Sequence, residues 1–60
     1  MTIIRKMRKA RNMTQEALAA ALGVTQGCVN HWETGRARPS VDNLKAMAKL
    51  FGCSVDDLLE

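Results

Sequence analysis

Tyrosine is absent from this chain, and Trp32 and Phe51 are its only aromatic residues. The hydrophobic share is 47%, so the core must be mainly aliphatic, with Met7, Met13 and Met47 as adaptable fillers. Histidine occurs once, and the two cysteines, Cys28 and Cys53, form no CxxC. Two thiols and one imidazole fall short of the usual four-ligand zinc site, so no metal and no cofactor is expected. The thiols suit either a single disulfide or a reducing compartment. No apolar run approaches the ~18 residues that span a membrane, and the charged N-terminus lacks the apolar stretch of a signal peptide. No segment alternates apolar and polar residues, so strands are not expected. A nucleophile–base pair with a third orienting group is also missing. Cys28 and His31 stand three residues apart with nothing to orient them, which argues against an enzyme.

Sixty residues make one domain, 1–60. A chain this short buries only about 60% of its unfolded surface. That leaves room for a binding module and little for an enclosed active site. The charge it carries is uneven. Residues 1–38 hold seven cations (Arg5, Lys6, Arg8, Lys9, Arg11, Arg36, Arg38) against Glu16 and Glu33, a net of +5. Residues 39–60 hold Lys45 and Lys49 against Asp42, Asp56, Asp57 and Glu60, a net of −2, which together give the overall +3. A basic half beside a mildly acidic one fits either a polyanion partner on one side or an ordinary solvated surface.

Local signals divide the chain into five short helices, an all-α architecture. In the first, Ile4 and Met7 share a face with Arg8 beside them, and Asn12 suits a left-handed helix end. Thr14 caps a second helix with Glu16 in its first turn and Leu18, Ala19 and Leu22 on its apolar face, ended by Gly23. Thr25 caps the third, in which Val29 and Trp32 point one way while Gln26, Gly27, Asn30 and His31 point the other, up to Gly35. Pro39 disfavours helix at Arg38. Ser40 then caps a fourth helix, Val41 to Phe51, striped by Leu44, Met47, Ala48 and Phe51 and ended by Gly52. Ser54 and Asp57 are spaced for a capping box on a last turn whose apolar surface is Val55, Leu58 and Leu59.

Helices two and three, joined by a short turn containing Gly23, have the form of a helix-turn-helix over about residues 14–34. A plain αα-hairpin would account for Leu18, Leu22, Val24, Val29 and Trp32. It does not account for an outward face on helix three that is uncharged yet rich in hydrogen-bonding groups. The stretches "TQEALA", "LGVTQ", "WETGRARPS" and "GCSVDDLL" resemble the phage repressor and Cro family of helix-turn-helix regulators, also called the xenobiotic-response-element type. The resemblance runs from Ile4 to Leu59. It implies a compact five-helix repressor-like fold, helix three in the major groove of double-stranded DNA, a homodimer on a two-fold symmetric operator, and a bacterial or phage-encoded, cytoplasmic regulator.

Site residues follow from the two together. Gln26 and Asn30 can pair bidentately with adenine, and His31 can donate to guanine or to a phosphate. Gly27 stands where the family often has a polar residue. It either admits close approach of the helix to the groove or to a thymine methyl, or is a tolerated defect costing about 1 kcal/mol relative to Ala. Gln15, at the start of helix two, matches a glutamine that the family uses as a phosphate clamp. Thr25, Arg36, Arg38 and, more weakly, Arg11 complete the expected phosphate set. The resemblance also implies a partly buried salt bridge between Arg8 and Glu33. The dimer surface is expected at Ala37, Pro39, Val55, Leu58 and Leu59, with the acidic residues Asp56, Asp57 and Glu60 facing a partner or solvent; the alternative for Val55 and Leu58 is to close the monomer core, which Leu58 is expected to do in part. The family offers one rival role, a protein-interaction module or antitoxin built on the same fold.

Overall fold

Four helices begin on a hydroxyl that accepts a hydrogen bond from a backbone N–H of the first turn. Thr14 accepts from Ala17 N at 3.0 Å, Thr25 from Cys28 N at 3.2 Å, Ser40 from Asn43 N at 3.1 Å and Ser54 from Asp57 N at 3.2 Å. The last cap is reciprocal, since the Asp57 carboxylate accepts from Ser54 N at 3.1 Å. Each cap satisfies an N–H that the helix itself leaves unpaired. The computed structural model describes residues 1–59, so Glu60 and its expected place near a partner lie outside the described residues. The elements are α1 (Thr2–Ala10), α2 (Gln15–Leu22), α3 (Gln26–Thr34), α4 (Val41–Phe51) and α5 (Val55–Leu58).

The turns form for equally local reasons. Gly23 takes φ +70 as the chain leaves α2, and Val24 N then donates to Ala19 O at 3.0 Å. A side chain here would be strained, because L-residues reach this left-handed region only at a cost. Asn12 takes the same region at φ 55, at the end of α1 where a short polar side chain tolerates it.

With their ends set, the helices close around Ile4, Leu18, Val29, Met47 and Leu58, which are fully buried, and Ala19, Trp32, Ala48 and Phe51, which are nearly so. Met7, Met13, Leu22, Val24, Leu44, Cys53 and Val55 pack half-buried around this centre. α3 lies against both α2 and α1, while α4 carries α5 and reaches α2. The two thiols stay free, Cys28 exposed and Cys53 half-buried with its S–H directed at Met7 Sδ at 3.9 Å. Among the described residues, no helix is long and apolar enough to cross a membrane.

Two residues expected at a dimer surface lie elsewhere. Leu58 is 0% exposed: α5 is a single turn, and its one inward position closes the core under α4. Pro39 is buried as well, since the connector between α3 and α4 folds inward at its rigid residue and leaves Arg36, Ala37 and Arg38 exposed. Val55 is half-buried, and only Ala37 and Leu59 of the five are open to solvent.

Trp32 is 4% exposed in a core with one other aromatic ring, and truncating it leaves a cavity that neighbours this small cannot fill. Trp32→Ala is expected to lower stability by about 3–5 kcal/mol. Urea unfolding followed by circular dichroism at 222 nm checks this, and a midpoint near that of the parent chain would contradict it.

Candidate nucleic-acid interface

α3 is two-sided. Val29 and Trp32 turn inward and are buried, while Gln26, Gly27, Asn30 and His31 are all exposed. Apolar residues three apart and polar residues between them produce this split on any helix of period 3.6. Nothing in the fold requires glycine at position 27. A Cβ placed there would meet only Thr25 Oγ1 at 3.8 Å, an ordinary contact.

Both ends of α3 are held. At its start the Thr25 hydroxyl accepts from Cys28 N and donates to Cys28 Sγ at 3.2 Å. At its end the backbone N–H groups of Arg36 and Ala37 donate to His31 O at 2.9 and 3.2 Å, which folds the basic loop back onto the last turn. The Met1 ammonium also donates to Trp32 O, and Thr34 Oγ1 donates to Asn30 O at 3.0 Å. Arg36 and Arg38 are exposed in the loop so formed.

The largest electrostatic feature lies between helices. Arg8 Nε donates to Glu33 Oε2 at 2.7 Å and Arg8 Nη2 to Glu33 Oε1 at 3.1 Å, with side chains only 10% and 5% exposed. The third guanidinium nitrogen, Nη1, donates to Met13 O at 2.8 Å. Gln15 Nε2 also donates to Glu33 Oε1, at 3.2 Å. Burial alone would raise the Glu33 carboxyl. Hydrogen bonds from Arg8 and Gln15, with the positive charges of Arg8 and Arg5, outweigh it and hold the group below the usual carboxylate range. The same partnership raises Arg8, whose hydrogen bond to Glu33 outweighs its desolvation.

Arg11, expected as a weaker phosphate contact, has a partner within the fold as well. Its guanidinium donates to Phe51 O and lies over the Phe51 ring, 5.7 Å from the centroid. A cation at the C-terminus of α4 meets the negative end of that helix, which gives Arg11 a structural task in joining α1 to α4. Sequence spacing carries no signal for this contact between residues forty apart, nor for the link between Gln15 and Glu33.

Comparison with known proteins places this arrangement. The family described as helix-turn-helix matches residues 4–58. The chain belongs to the helix-turn-helix family of Cro/C1-type regulators. This is a family of transcriptional regulators and not of enzymes. The helix-turn-helix chain is 36% identical over 93% of its length to the HTH-type transcriptional activator BcrR of Enterococcus faecalis. It is 37% identical over 95% of its length to repressor protein C2 of Salmonella phage P22. It spans 28% and 26% of the length of those two relatives. Among solved structures, the P22 c2 repressor in complex with synthetic operator 9T superposes with a TM-score of 0.86 at 36% identity, covering 92% of this chain and 83% of that one. The solution structure of the P22 c2 DNA-binding domain gives 0.87 at 37% identity, covering 95% and 75%.

The ion pair generates its own test. Arg8→Met strands a buried carboxylate and is expected to lower stability by about 3–5 kcal/mol, whereas Arg8→Met with Glu33→Leu should recover much of the loss. Because folding depresses Glu33, its contribution is present above the carboxyl's unfolded value and is lost as pH falls through the lower folded value. Thermal melts between pH 7 and pH 2 should show this acid loss in the parent chain and a smaller one in the double variant.

Proposed function

We propose that this chain binds double-stranded DNA sequence-specifically, laying α3 in the major groove as the reading element of a cytoplasmic transcriptional regulator. The observation that carries this reading is the outward face of α3, where Gln26, Asn30 and His31 offer donors and acceptors around the bare Gly27 while Val29 and Trp32 hold the helix to the core. Gln26 pairs with adenine, Asn30 and His31 read or flank it, and Gly27 lets the helix sit close to the groove floor. Gln15 and Thr25, at the starts of α2 and α3, meet phosphates together with Arg36 and Arg38. Arg11, held at Phe51 O yet exposed, adds a weaker attraction for phosphate.

Two copies on a two-fold symmetric operator complete the reading. One recognition helix covers too few base pairs to find a site in a genome, and two helices about 34 Å apart would meet successive major grooves on one face of the duplex. The surface open to a second copy comprises Ala37, the outer half of Val55 and Leu59, which is 45% exposed. The P22 repressor bound to its operator supports the mode of binding.

Selection of bound duplexes from a random pool, followed by titration at several salt concentrations, tests this. Gln26→Ala is expected to relax preference at one base position and cost roughly 1–3 kcal/mol at the selected site. Arg38→Ala should weaken all sequences alike and flatten the salt dependence. Binding no tighter to the selected site than to random duplex would overturn the reading. Complex mass on the full site and on a half-site should give two chains and one chain respectively. One chain on the full site, with affinity unchanged when the second half is scrambled, would remove the dimer.

A further inference from the structure

Glu33 lies near the end of α3, yet its carboxylate is shared by two other helices. Oε2 accepts from Arg8 Nε, and Oε1 accepts both from Arg8 Nη2 and from Gln15 Nε2, at 3.1 and 3.2 Å. Gln15 is the first residue of α2, and it is half-buried. A glutamine amide has a donor end and an acceptor end, and with free rotation either can turn toward a neighbouring group. An ionised carboxylate only accepts. Beside Glu33 the amide is therefore locked with its NH2 end at the carboxylate, since the reverse rotamer would oppose two oxygens. One of the two N–H groups is used on Oε1 and the other is left over. Arg8 makes the arrangement tolerable next to a polyanion, because its charge cancels that of the carboxylate at 2.7 Å.

We propose that Glu33 is a positioning residue for the DNA backbone: through Oε1 it fixes the Gln15 amide so that the remaining N–H is presented as a donor to a phosphate at the start of α2. The proposal rests on the DNA-binding reading above. It makes the buried ion pair part of the binding apparatus as well as of the fold, because the carboxylate that holds α1 to α3 also sets the donor on α2. The phosphate itself completes the donor's hydrogen bonding, and the N-terminal end of α2 adds its partial positive charge.

The test separates orientation from stability. Two backgrounds remove the buried cation, so that neither strands a charge. Arg8→Met with Glu33→Gln keeps an acceptor oxygen for Gln15, and Arg8→Met with Glu33→Met does not. Gln15→Ala is then added to the parent and to each background, and Kd for the selected duplex is measured at one salt concentration. Gln15→Ala is expected to weaken binding by about tenfold in the parent, the worth of one charge-assisted hydrogen bond. The effect should be intermediate in the Glu33→Gln background, where the amide at position 33 offers both a donor and an acceptor end, and fall to about twofold or less in the Glu33→Met background. An equal effect in the two backgrounds overturns the proposal.

A second readout uses the free parent chain and no variant. The Gln15 side-chain amide protons should exchange with solvent more slowly by NMR than those of Gln26, which is exposed. Equal exchange overturns the proposal whatever the DNA experiments give. Slow Gln15 exchange together with duplex binding that is indifferent to Gln15→Ala overturns it while leaving the DNA-binding reading intact. Slow exchange with no duplex binding by the parent chain overturns both.

Discussion

The ion pair between Arg8 and Glu33 is the joint at which three parts of the molecule meet. It joins α1 to α3, and through Met13 O and Gln15 it also reaches the turn before α2 and the first residue of α2. Desolvating two charges is expensive, and a buried pair is tolerable only when the leftover donors and acceptors are also matched. Here they are: all three guanidinium nitrogens donate, and both carboxylate oxygens accept. Among the described residues no buried side-chain nitrogen or oxygen lacks a partner. For a chain whose apolar core is necessarily small, one such charged joint fixes the relative placement of three elements that non-directional apolar contacts would hold less uniquely.

That joint leaves α3 free to be two-sided. A short helix gains little from its own propensity and must be held by tertiary contacts. Val29 and Trp32 supply the inward anchor, the Thr25 cap holds one end, and the folded-back loop holds the other. The outward face can therefore carry Gln26, Gly27, Asn30 and His31, a poor set for a helix that had to stand alone. The position of Gly27 follows the same logic, since no contact in the fold demands it. Its cost in helix stability is absorbed by the anchors on the opposite side.

The legible part of the fold came from residues that act on their near neighbours. Thr14, Thr25, Ser40 and Ser54 are recognisable caps because a hydroxyl three residues before an N–H is a local arrangement, and all four accept the bonds that their spacing implies. The inward face of α3 was equally readable from period 3.6 alone. Leu58 was harder. A one-turn helix has too few residues for a periodicity to show which side faces in, and only packing under α4 places it at 0% exposure. Pro39 was hidden for a related reason, because a connector has no period at all, and its burial is decided by where the flanking helices lie. The bond from Arg11 to Phe51 O was hidden in the same way, because it forms only where the end of α4 packs beside α1.

The amino-acid sequence by itself determined that five short helices form, where four of them are capped, and that α3 turns a polar face outward. Each of these is settled within one or two turns of chain, by hydrogen bonds and side-chain periods that need no distant partner. Only the tertiary structure decided which charges are spent on the fold and which remain for a ligand. Arg8 and Arg11 are both cations of α1 or its end, yet Arg8 is buried against Glu33 and Met13 O, whereas Arg11 lies over Phe51 and remains exposed, as Arg36 and Arg38 do. The difference arises from residues many positions away, brought close only when the helices pack. Charge and chemistry are local properties of a side chain, whereas its partner is a property of the whole fold.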